Sequence, residues 1–262
     1  GNPAFNVAAE LNDGSLLIPQ AGIELTELQF SAIPSGANTM DISARARSGE
    51  GSVLLEGEVQ APALDAIQAR ASLQGENFQL LDIATMRLRV NPDLDFAVSP
   101  AQTSIEGRLQ IPQARAEIRQ LPAGGVRPSG DEVIVGDQAV GDTAYLNLAL
   151  DLEIELGSDV EFQGFGLTTG LTGSLEIQQP AGEPRRTFGA IELVGGEYEA
   201  YGRTLIVQRG RMNFQGEIDN PGLDVDAEQS YEDYRVGIHL GGTALNPSTT
   251  LYSDPAMTQS DI

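Results

Sequence analysis

The sequence of 262 residues contains no cysteine, no tryptophan and no lysine, and it has a single histidine. Without cysteine the chain forms no disulfide bond, has no thiol nucleophile and offers no thiolate ligand for zinc. No stretch approaches the roughly 18 consecutive apolar residues that a membrane-spanning helix needs. The first residues, Gly-Asn-Pro-Ala-Phe, form neither a basic nor an apolar leader. We therefore expect no targeting segment in this stretch, and we expect any membrane anchor to lie elsewhere in a longer chain.

The charge balance is strongly acidic. The chain has 38 acidic and 15 basic residues and a formal net charge of −23 at pH 7, and every basic residue is arginine. Phosphate backbones and anionic bilayer surfaces repel such a chain. We therefore expect no nucleic-acid partner.

Apolar residues recur mainly with a period of two, which is typical of β-strands, and no convincing period of 3.6 is present. The clearest examples are Leu94, Phe96 and Val98; Leu223, Val225 and Ala227; and Val236, Ile238 and Leu240. The best helical candidate, residues 69–88, contains Gly75 and fits strands equally well. The pattern predicts a nearly all-β fold.

Glycine precedes many of these alternating stretches in the pattern Gly-x-apolar-x-apolar. The pattern begins at Gly14, Gly51, Gly107, Gly173, Gly189 and Gly210. Glycines that open strands after turns explain it most simply. The unequal intervals favour a meander of unequal hairpins over a solenoid.

The stretch "LLIPQAGIELTELQF" (16–30) resembles "LQIPQARAEIRQLP" (109–122), and we call this similarity the internal echo. It suggests two units with the same structure. Between the second copy and the strand that follows, residues 120–144 are rich in Pro and Gly and predict a surface loop, with a short strand at 133–135.

The stretch "LNLALDLEIEL" (146–156) places an apolar side chain at every second position and polar or small residues, three of them acidic, between them. On a strand these rows lie on opposite faces. The strand would be roughly 36 Å long. Burying its six apolar side chains would contribute on the order of 9–18 kcal/mol at most, so we expect them to be covered.

Two coverings are physically sensible. A facing sheet would cover the row in a sandwich or barrel, and a lipid acyl chain would cover it in an open, curved sheet. The pattern alone favours the sandwich, but aromatic residues make up only 5% of the chain, fewer than large-ring cores use. In "VEFQGFGL" (160–167) the apolar phase slips at Gln163 and Gly164, which predicts a β-bulge that bends the sheet.

Signals for catalysis or metal binding are weak. His239 has no accompanying G-x-S-x-G motif, and we interpret it as a solvent-facing strand histidine. The carboxylates of "DNPGLDVDAE" (219–228) follow strand alternation and lack EF-hand spacing. "GFGLTTG" (164–170) precedes no helix, so it does not indicate a dinucleotide site. We expect no enzyme activity, no catalytic residues, no metal and no cofactor.

The carboxy-terminal half resembles the TamB family in two long stretches, "DLEIELGSDVEFQGFGLTTGLTGSLEI" (151–177) and "FGAIELVGGEYEAYGRTLIVQRGRMNFQGEIDNPGLDVDAEQ" (188–229). The combination of "GGEYEAYGRTLIVQRGRMNF" with "DNPGLDV" is quite specific. "IPQARAEIRQLP" with "DEVIVG" (111–136) and the closing "VGIHLGG" with "NPSTTLYSDPAM" also fit. The resemblance extends over residues 105–262, and residues 1–104 are consistent with it but less distinctive.

The resemblance implies a bacterial envelope protein of the AsmA-like, bridge-type lipid-transfer class. Such proteins are anchored in the inner membrane, cross the periplasm and partner the outer-membrane barrel protein TamA in the translocation and assembly module. The implied fold is all-β, with a long curved, antiparallel-rich β-sheet that closes partly on itself, like a taco or tube, around an apolar inner groove. The family's extreme carboxy terminus lies beyond "DPAMTQSDI" (254–262), so we expect TamA binding to need those further residues.

The implied function is conduction of phospholipids between the inner and outer membranes, with support for assembly of outer-membrane proteins such as autotransporters. The apolar phase of each strand then becomes a groove lining that contacts acyl chains: Leu146, Leu148, Leu150, Leu152, Ile154, Leu156, Val160, Phe162, Leu175, Ile177, Ile191, Leu193, Leu205, Val207, Met212, Phe214, Leu223 and Val225. Two alternatives stay open: a chaperone-like scaffold that pairs barrel strands by β-augmentation, and a plain structural β-sandwich.

We divide the chain into three parts. Residues 1–119 form an amino-terminal β unit that continues the parent protein's groove. Residues 120–144 form the Pro- and Gly-rich loop. Residues 145–262 form a carboxy-terminal TamB-like β-groove unit.

Overall fold

The computed structural model describes residues 7–63, 66–118, 147–200 and 202–257, which form strands and turns and contain no helix. The strands are β1 (Ala9–Ile18), β2 (Ile23–Pro34), β3 (Thr39–Ser48), β4 (Gly51–Gln60), β5 (Gln68–Glu76), β6 (Phe78–Ile83), β7 (Met86–Val98), β8 (Thr103–Ile118), β9 (Leu148–Gly164), β10 (Leu167–Gln179), β11 (Arg186–Ala200), β12 (Arg203–Gly216), β13 (Gly222–Ser230), β14 (Arg235–Gly242) and β15 (Pro247–Asp254).

All fifteen strands belong to one sheet, in which, apart from β6, strands that follow each other in sequence lie side by side. The pairs are antiparallel except β8 and β9, which are parallel. Strand β6 lies off the main path and pairs with the first half of β7, while β5 pairs with the second half. The described residues do not close the sheet by pairing β1 with β15. The predicted all-β, antiparallel-rich meander is therefore confirmed.

The sheet is open rather than folded into a compact body. Among the described residues, few large hydrophobic side chains are fully buried, whereas many, such as Phe30, Phe165 and Val194, are exposed. The clearest core is one small cluster of Leu205, Val207 and Ala227, against which Leu193 and Val225 pack. The described residues form a single sheet, so they do not contain the two stacked sheets that the sandwich alternative requires.

The glycines of the repeated pattern are mostly inside strands, and the expectation that they open strands was wrong for all but Gly51. Gly107, Gly173 and Gly189 have φ angles of 129°, 130° and 116°. A Cβ atom on Gly173 would lie 2.2 Å from the carbonyl oxygen of Ala190 on the neighbouring strand. Only glycine permits this backbone conformation and this close approach.

The slip in apolar phase at Gln163 and Gly164 is a hairpin turn and not the β-bulge that the pattern predicted. Strand β9 ends at Gly164, and the two-residue turn of Phe165 and Gly166 has φ angles of 55° and 82°. Two successive positive φ angles are the signature of a type I′ hairpin, which matches the twist of the flanking strands. A bulge does exist earlier in β9, where the register shifts between Leu156 and Asp159.

The structure decides the local conformation of two other patterns. The stretch at 69–88, which fitted strands as well as a helix, lies in β5, β6 and the first residues of β7, and β5 and β6 are separated at Asn77, which has a φ angle of 50°. In the internal echo, the first "IPQA" (18–21) leaves β1 and enters a turn, whereas the second (111–114) lies inside β8. The shared letters therefore do not mark the same element in two units.

The sheet continues from β8 to β9 without a break, since the two strands pair along most of their length. The predicted loop at 120–144, with its short strand, lies outside the described residues. The proposed division at 119 and 145 stays a prediction.

Candidate functional site: the apolar face of the sheet

Strand β9 separates apolar from acidic side chains as its alternation predicts. Leu148, Leu150, Leu152, Ile154 and Leu156 are half-buried. Asp151, Glu153 and Glu155, which alternate with them, are exposed. Leu146 lies outside the described residues. The strand therefore has one apolar face that is partly covered and one face that is wet.

Pairing registers extend the apolar face onto both neighbours of β9, because directly opposed residues point to the same side of a sheet. Ile154 lies between Leu109 of β8 and Leu175 of β10. Leu156 lies between Ile111 of β8 and Gly173 of β10. The face is therefore shared by strands on both sides of the parallel junction.

The same face continues through β11, β12 and β13. Gly173 pairs with Ile191, Ile191 with Met212, and Met212 with Leu223. Val225 pairs with Gly210, two residues before Met212. A single row of residues, apolar except for Gly173, thus runs across six strands, from β8 to β13.

The structure places the 17 described residues of the predicted lining on this face, and none of them is exposed. They are Leu148, Leu150, Leu152, Ile154, Leu156, Val160, Phe162, Leu175, Ile177, Ile191, Leu193, Leu205, Val207, Met212, Phe214, Leu223 and Val225. Their contact with lipid stays a prediction.

Sequence reasoning missed part of this face. Ile105, Leu109 and Ile111 of β8 lie beside the β9 row, and Ile238 and Leu240 of β14 pair with Ala227 and Val225. Each of these residues lies in a stretch of alternating apolar and polar residues, so the sequence already assigned it to the apolar side of its own strand. Their position beside the row depends on which strands pair, and alternation does not specify that.

Polar side chains interrupt the apolar face where β10 ends and β11 begins. Gln179 pairs with Leu150, and Thr187 pairs with Ile177. The Gln179 amide Nε2 donates to the Leu148 carbonyl at 3.3 Å. The Arg185 Nε donates to the Gln179 Oε1 at 3.4 Å. This end of the face therefore has a polar border.

Comparison with known proteins identifies the family. The profile of the TamB C-terminal domain matches residues 41–262. The chain belongs to the TamB family. The "Translocation and assembly module subunit TamB" of Haemophilus influenzae is 30% identical over 204 residues, which are 71% of this chain and 16% of that protein. The chain thus spans less than a fifth of its relative's length. Among the described residues of this TamB-family chain, no helix is long and apolar enough to cross a membrane.

The opposite face of this TamB-family sheet is acidic and is crossed by ion pairs. Arg108 contacts Glu153 at 2.7 Å and Arg115 contacts Glu161, joining β8 to β9. The hydrogen bond to Glu153 raises the pKa of the Arg108 guanidinium above its ordinary value. A hollow of about 860 Å³ on this face has six carboxylates among its twelve lining residues, including Asp151 and Glu153. Such a surface does not suit an acyl chain.

His239 lies on the acidic face, as predicted from its alternation with Ile238 and Leu240. Its Nδ1 lies 2.7 Å from Asp226 Oδ1, and Arg209 donates to Asp226 at 2.8 Å and to Asp224 at 3.2 Å. Burial acts to raise the pKa of the Asp226 carboxyl, but the hydrogen bonds from His239 and Arg209 outweigh it and lower the pKa. Asp224, Asp226 and His239 are close enough to hold a metal ion, yet Arg209 already forms ion pairs with both carboxylates.

Proposed function

We propose that this chain is a segment of an apolar β-groove that conducts phospholipids between the inner and outer membranes, within the translocation and assembly module. The observation that supports this function is the apolar row shared by β8 to β13, which is half-buried on a sheet that the described residues do not close. The parent protein is anchored in the inner membrane and crosses the periplasm. Its outer-membrane partner is TamA, and the groove supports the assembly of outer-membrane proteins such as autotransporters.

An acyl chain suits this face for a physical reason. A fully buried Leu or Ile side chain contributes about 1.5–3 kcal/mol relative to an exposed one. The row residues of β9 are only half-buried, so part of that stabilisation is not yet realised. A lipid tail is as apolar as a leucine side chain and would remove the remaining apolar surface from water. It needs no specific geometry, so lipids of different chain lengths fit.

The charge distribution supports the same role. Asp151, Glu153 and Glu155 lie on the reverse face of the same strand and are exposed. Anionic phospholipids are repelled from that reverse face. Lipid is therefore directed to the apolar side. The role we propose is non-catalytic.

A second candidate function is a scaffold for nascent outer-membrane strands. It is favoured by the outer edges of β1 and β15, which have no strand partner among the described residues. A free edge accepts a further strand through backbone hydrogen bonds. In that case substitutions at the edges would matter more than substitutions in the apolar row.

Leu150→Arg tests the conduit. The protein is purified without detergent, and phospholipid is extracted and quantified per mole of protein. We expect phospholipid in the wild type and its loss in Leu150→Arg, with the circular dichroism of the sheet retained, because an open wall leaves the arginine a route to water. Ala149→Arg makes the same charge change on the neighbouring residue of β9, on the other face, and should keep its lipid.

Other outcomes are equally informative. A wild type without phospholipid, together with an unfolded Leu150→Arg variant, would show that the row is an internal core. The conduit function would then be wrong for this segment. Equal lipid loss in Leu150→Arg and Ala149→Arg would show that the apolar face has no special role.

A further inference from the structure

One buried hydroxyl on the apolar face has no partner. Thr187 is 0% exposed, and its Oγ1 is the buried side-chain atom of the described residues that makes no hydrogen bond. Ser48 and Thr169 are also buried, but their hydroxyls donate to the Gln79 carbonyl at 2.7 Å and to the Gly195 carbonyl at 2.8 Å. An unpaired buried hydroxyl costs stability, so its retention at Thr187 calls for an acceptor supplied from outside the chain.

A cation lies two residues away, at the border of the same face. Arg185 directly precedes β11, and its Nε contacts Gln179, which is 8% exposed and lies on the apolar face opposite Leu150. Among the described residues no carboxylate forms an ion pair with Arg185. In a chain with a net charge of −23, such an arginine keeps its terminal donors available for an anion.

The polar groups follow one another in a definite order along the face. Arg185 and the Gln179 amide are in contact at the border, and Gln179 lies opposite Leu150. The Thr187 hydroxyl lies one step further along the face, opposite Ile177, and the apolar pair of Leu175 and Ile154 follows. Along a strand, residues 185 and 187 are separated by about 7 Å. A glycerophospholipid presents its groups in the same order, with an anionic phosphate, then ester carbonyl oxygens that only accept hydrogen bonds, then acyl chains.

We propose that this end of the groove binds the polar part of a glycerophospholipid. Arg185 binds the phosphate, and the Thr187 hydroxyl donates to an ester carbonyl oxygen. The acyl chain lies along Ile177, Leu152 and Ile154. Thr187 is closed to water without lipid, so the ester reaches it from inside the groove as the acyl chain parts the apolar side chains. This inference rests on the proposed lipid groove and adds a headgroup site to it.

Two lipids with the same fluorescent acyl chain test the phosphate contact: phosphatidylglycerol, and the diacylglycerol that lacks the phosphate. We expect Arg185→Ala to weaken phosphatidylglycerol binding about tenfold, because it removes a charge-assisted hydrogen bond, and to leave diacylglycerol binding unchanged. Arg186→Ala is the matched control. Arg186 adjoins Arg185 and has the same charge, but it pairs with Gln178 on the acidic face, so both affinities should match the wild type.

Thr187→Val tests the ester contact. Valine has nearly the same shape without the hydroxyl, so binding of both lipids should weaken several-fold. The Tm of the lipid-free protein should not fall, because the variant removes a buried polar group that had no partner. A hydroxyl with a purely structural role would instead lower the Tm and leave the lipid affinities unchanged.

Each remaining outcome decides against part of the interpretation. If Arg185→Ala binds phosphatidylglycerol like the wild type, or if Arg186→Ala weakens it equally, the headgroup site is wrong and the groove itself is unaffected. If inorganic phosphate alone competes with phosphatidylglycerol at Arg185, the site is one for free anions and not for a lipid. If the wild type binds neither lipid, the proposed function fails and the headgroup site fails with it.

Discussion

At the scale of single residues, glycine determines where neighbouring backbones approach each other in this sheet. Gly107, Gly173 and Gly189 combine positive φ angles with the close approach of a neighbouring carbonyl, between 2.2 and 2.3 Å from where a Cβ would lie. Each pairs with an apolar residue of the face: Gly107 with Leu152, Gly173 with Leu156 and Gly189 with Leu175. These glycines therefore allow the strands of the apolar face to twist without a steric clash.

Gly173→Ala is expected to lower the free energy of unfolding by more than about 2 kcal/mol, because it adds both backbone strain and a clash with Ala190. Urea denaturation followed by circular dichroism measures the change. Gly222→Ala is the control, since a Cβ there would meet no atom nearer than 3.8 Å, and it should change stability little. Equal effects of the two substitutions would contradict the steric explanation.

At the scale of elements, the β9–β10 hairpin contains an unusual turn residue. Phe165 has a φ angle of 55° and is 54% exposed. Bulky residues adopt the left-handed conformation at a cost, whereas asparagine adopts it readily. The hairpin joins the two strands that contribute Ile154 and Leu175 to the apolar face, so its turn maintains the register of that face.

Phe165→Asn is expected to raise the free energy of unfolding by about 1 kcal/mol, because Asn-Gly is the preferred sequence for a type I′ turn. Thermal or urea denaturation measures it. Phe165→Ala removes the ring without supplying the preference for positive φ, so it should give no such gain. If both variants destabilise the protein to the same extent, the ring of Phe165 makes a stabilising contact and the turn argument is wrong.

At the scale of the whole molecule, the sheet is open, and its two outer edges differ from its interior. Strand β9 has a bonded neighbour on each side, β8 and β10, whereas β15 pairs only with β14 among the described residues. An unpaired edge leaves alternate backbone N–H groups facing water. In a closed barrel every strand would have a neighbour on both sides, so β15 would not differ from β9 in this respect.

Hydrogen exchange distinguishes the open from the closed sheet. We expect nearly all amides of β9 to be protected and roughly half of those of β15 to exchange rapidly, since they face the free edge. Mass spectrometry or NMR at low protein concentration measures this. Full protection of β15 would show that the edge is paired, either with β1 or with a second copy, and dilution separates these two cases.

The alternation of apolar and polar residues determined much of this protein before any tertiary contact was considered. The side-chain period of a strand is two. The apolar residues at every second position from Leu148 to Leu156 therefore lie on one face in any register that preserves the strand, and so do Met212 and Phe214. The family followed from contiguous motifs between residues 151 and 229, which are local features of the chain.

Only the tertiary structure decided the register and direction of strand pairing and what the glycines do. Strands β8 and β9 follow each other in sequence, but they pair in parallel rather than as a hairpin, and this sets Ile105, Leu109 and Ile111 beside β9. Alternation contains no information about the direction of a neighbouring strand. The positive φ angles of Gly107, Gly173 and Gly189 follow from the approach of a neighbouring strand. The slip in apolar phase after Gln163 could mark a bulge or a turn. It marks a turn because β10 begins at Leu167 and pairs back onto β9. The faces came from local periodicity, and the sheet that joins them came from the register and direction in which neighbouring strands pair.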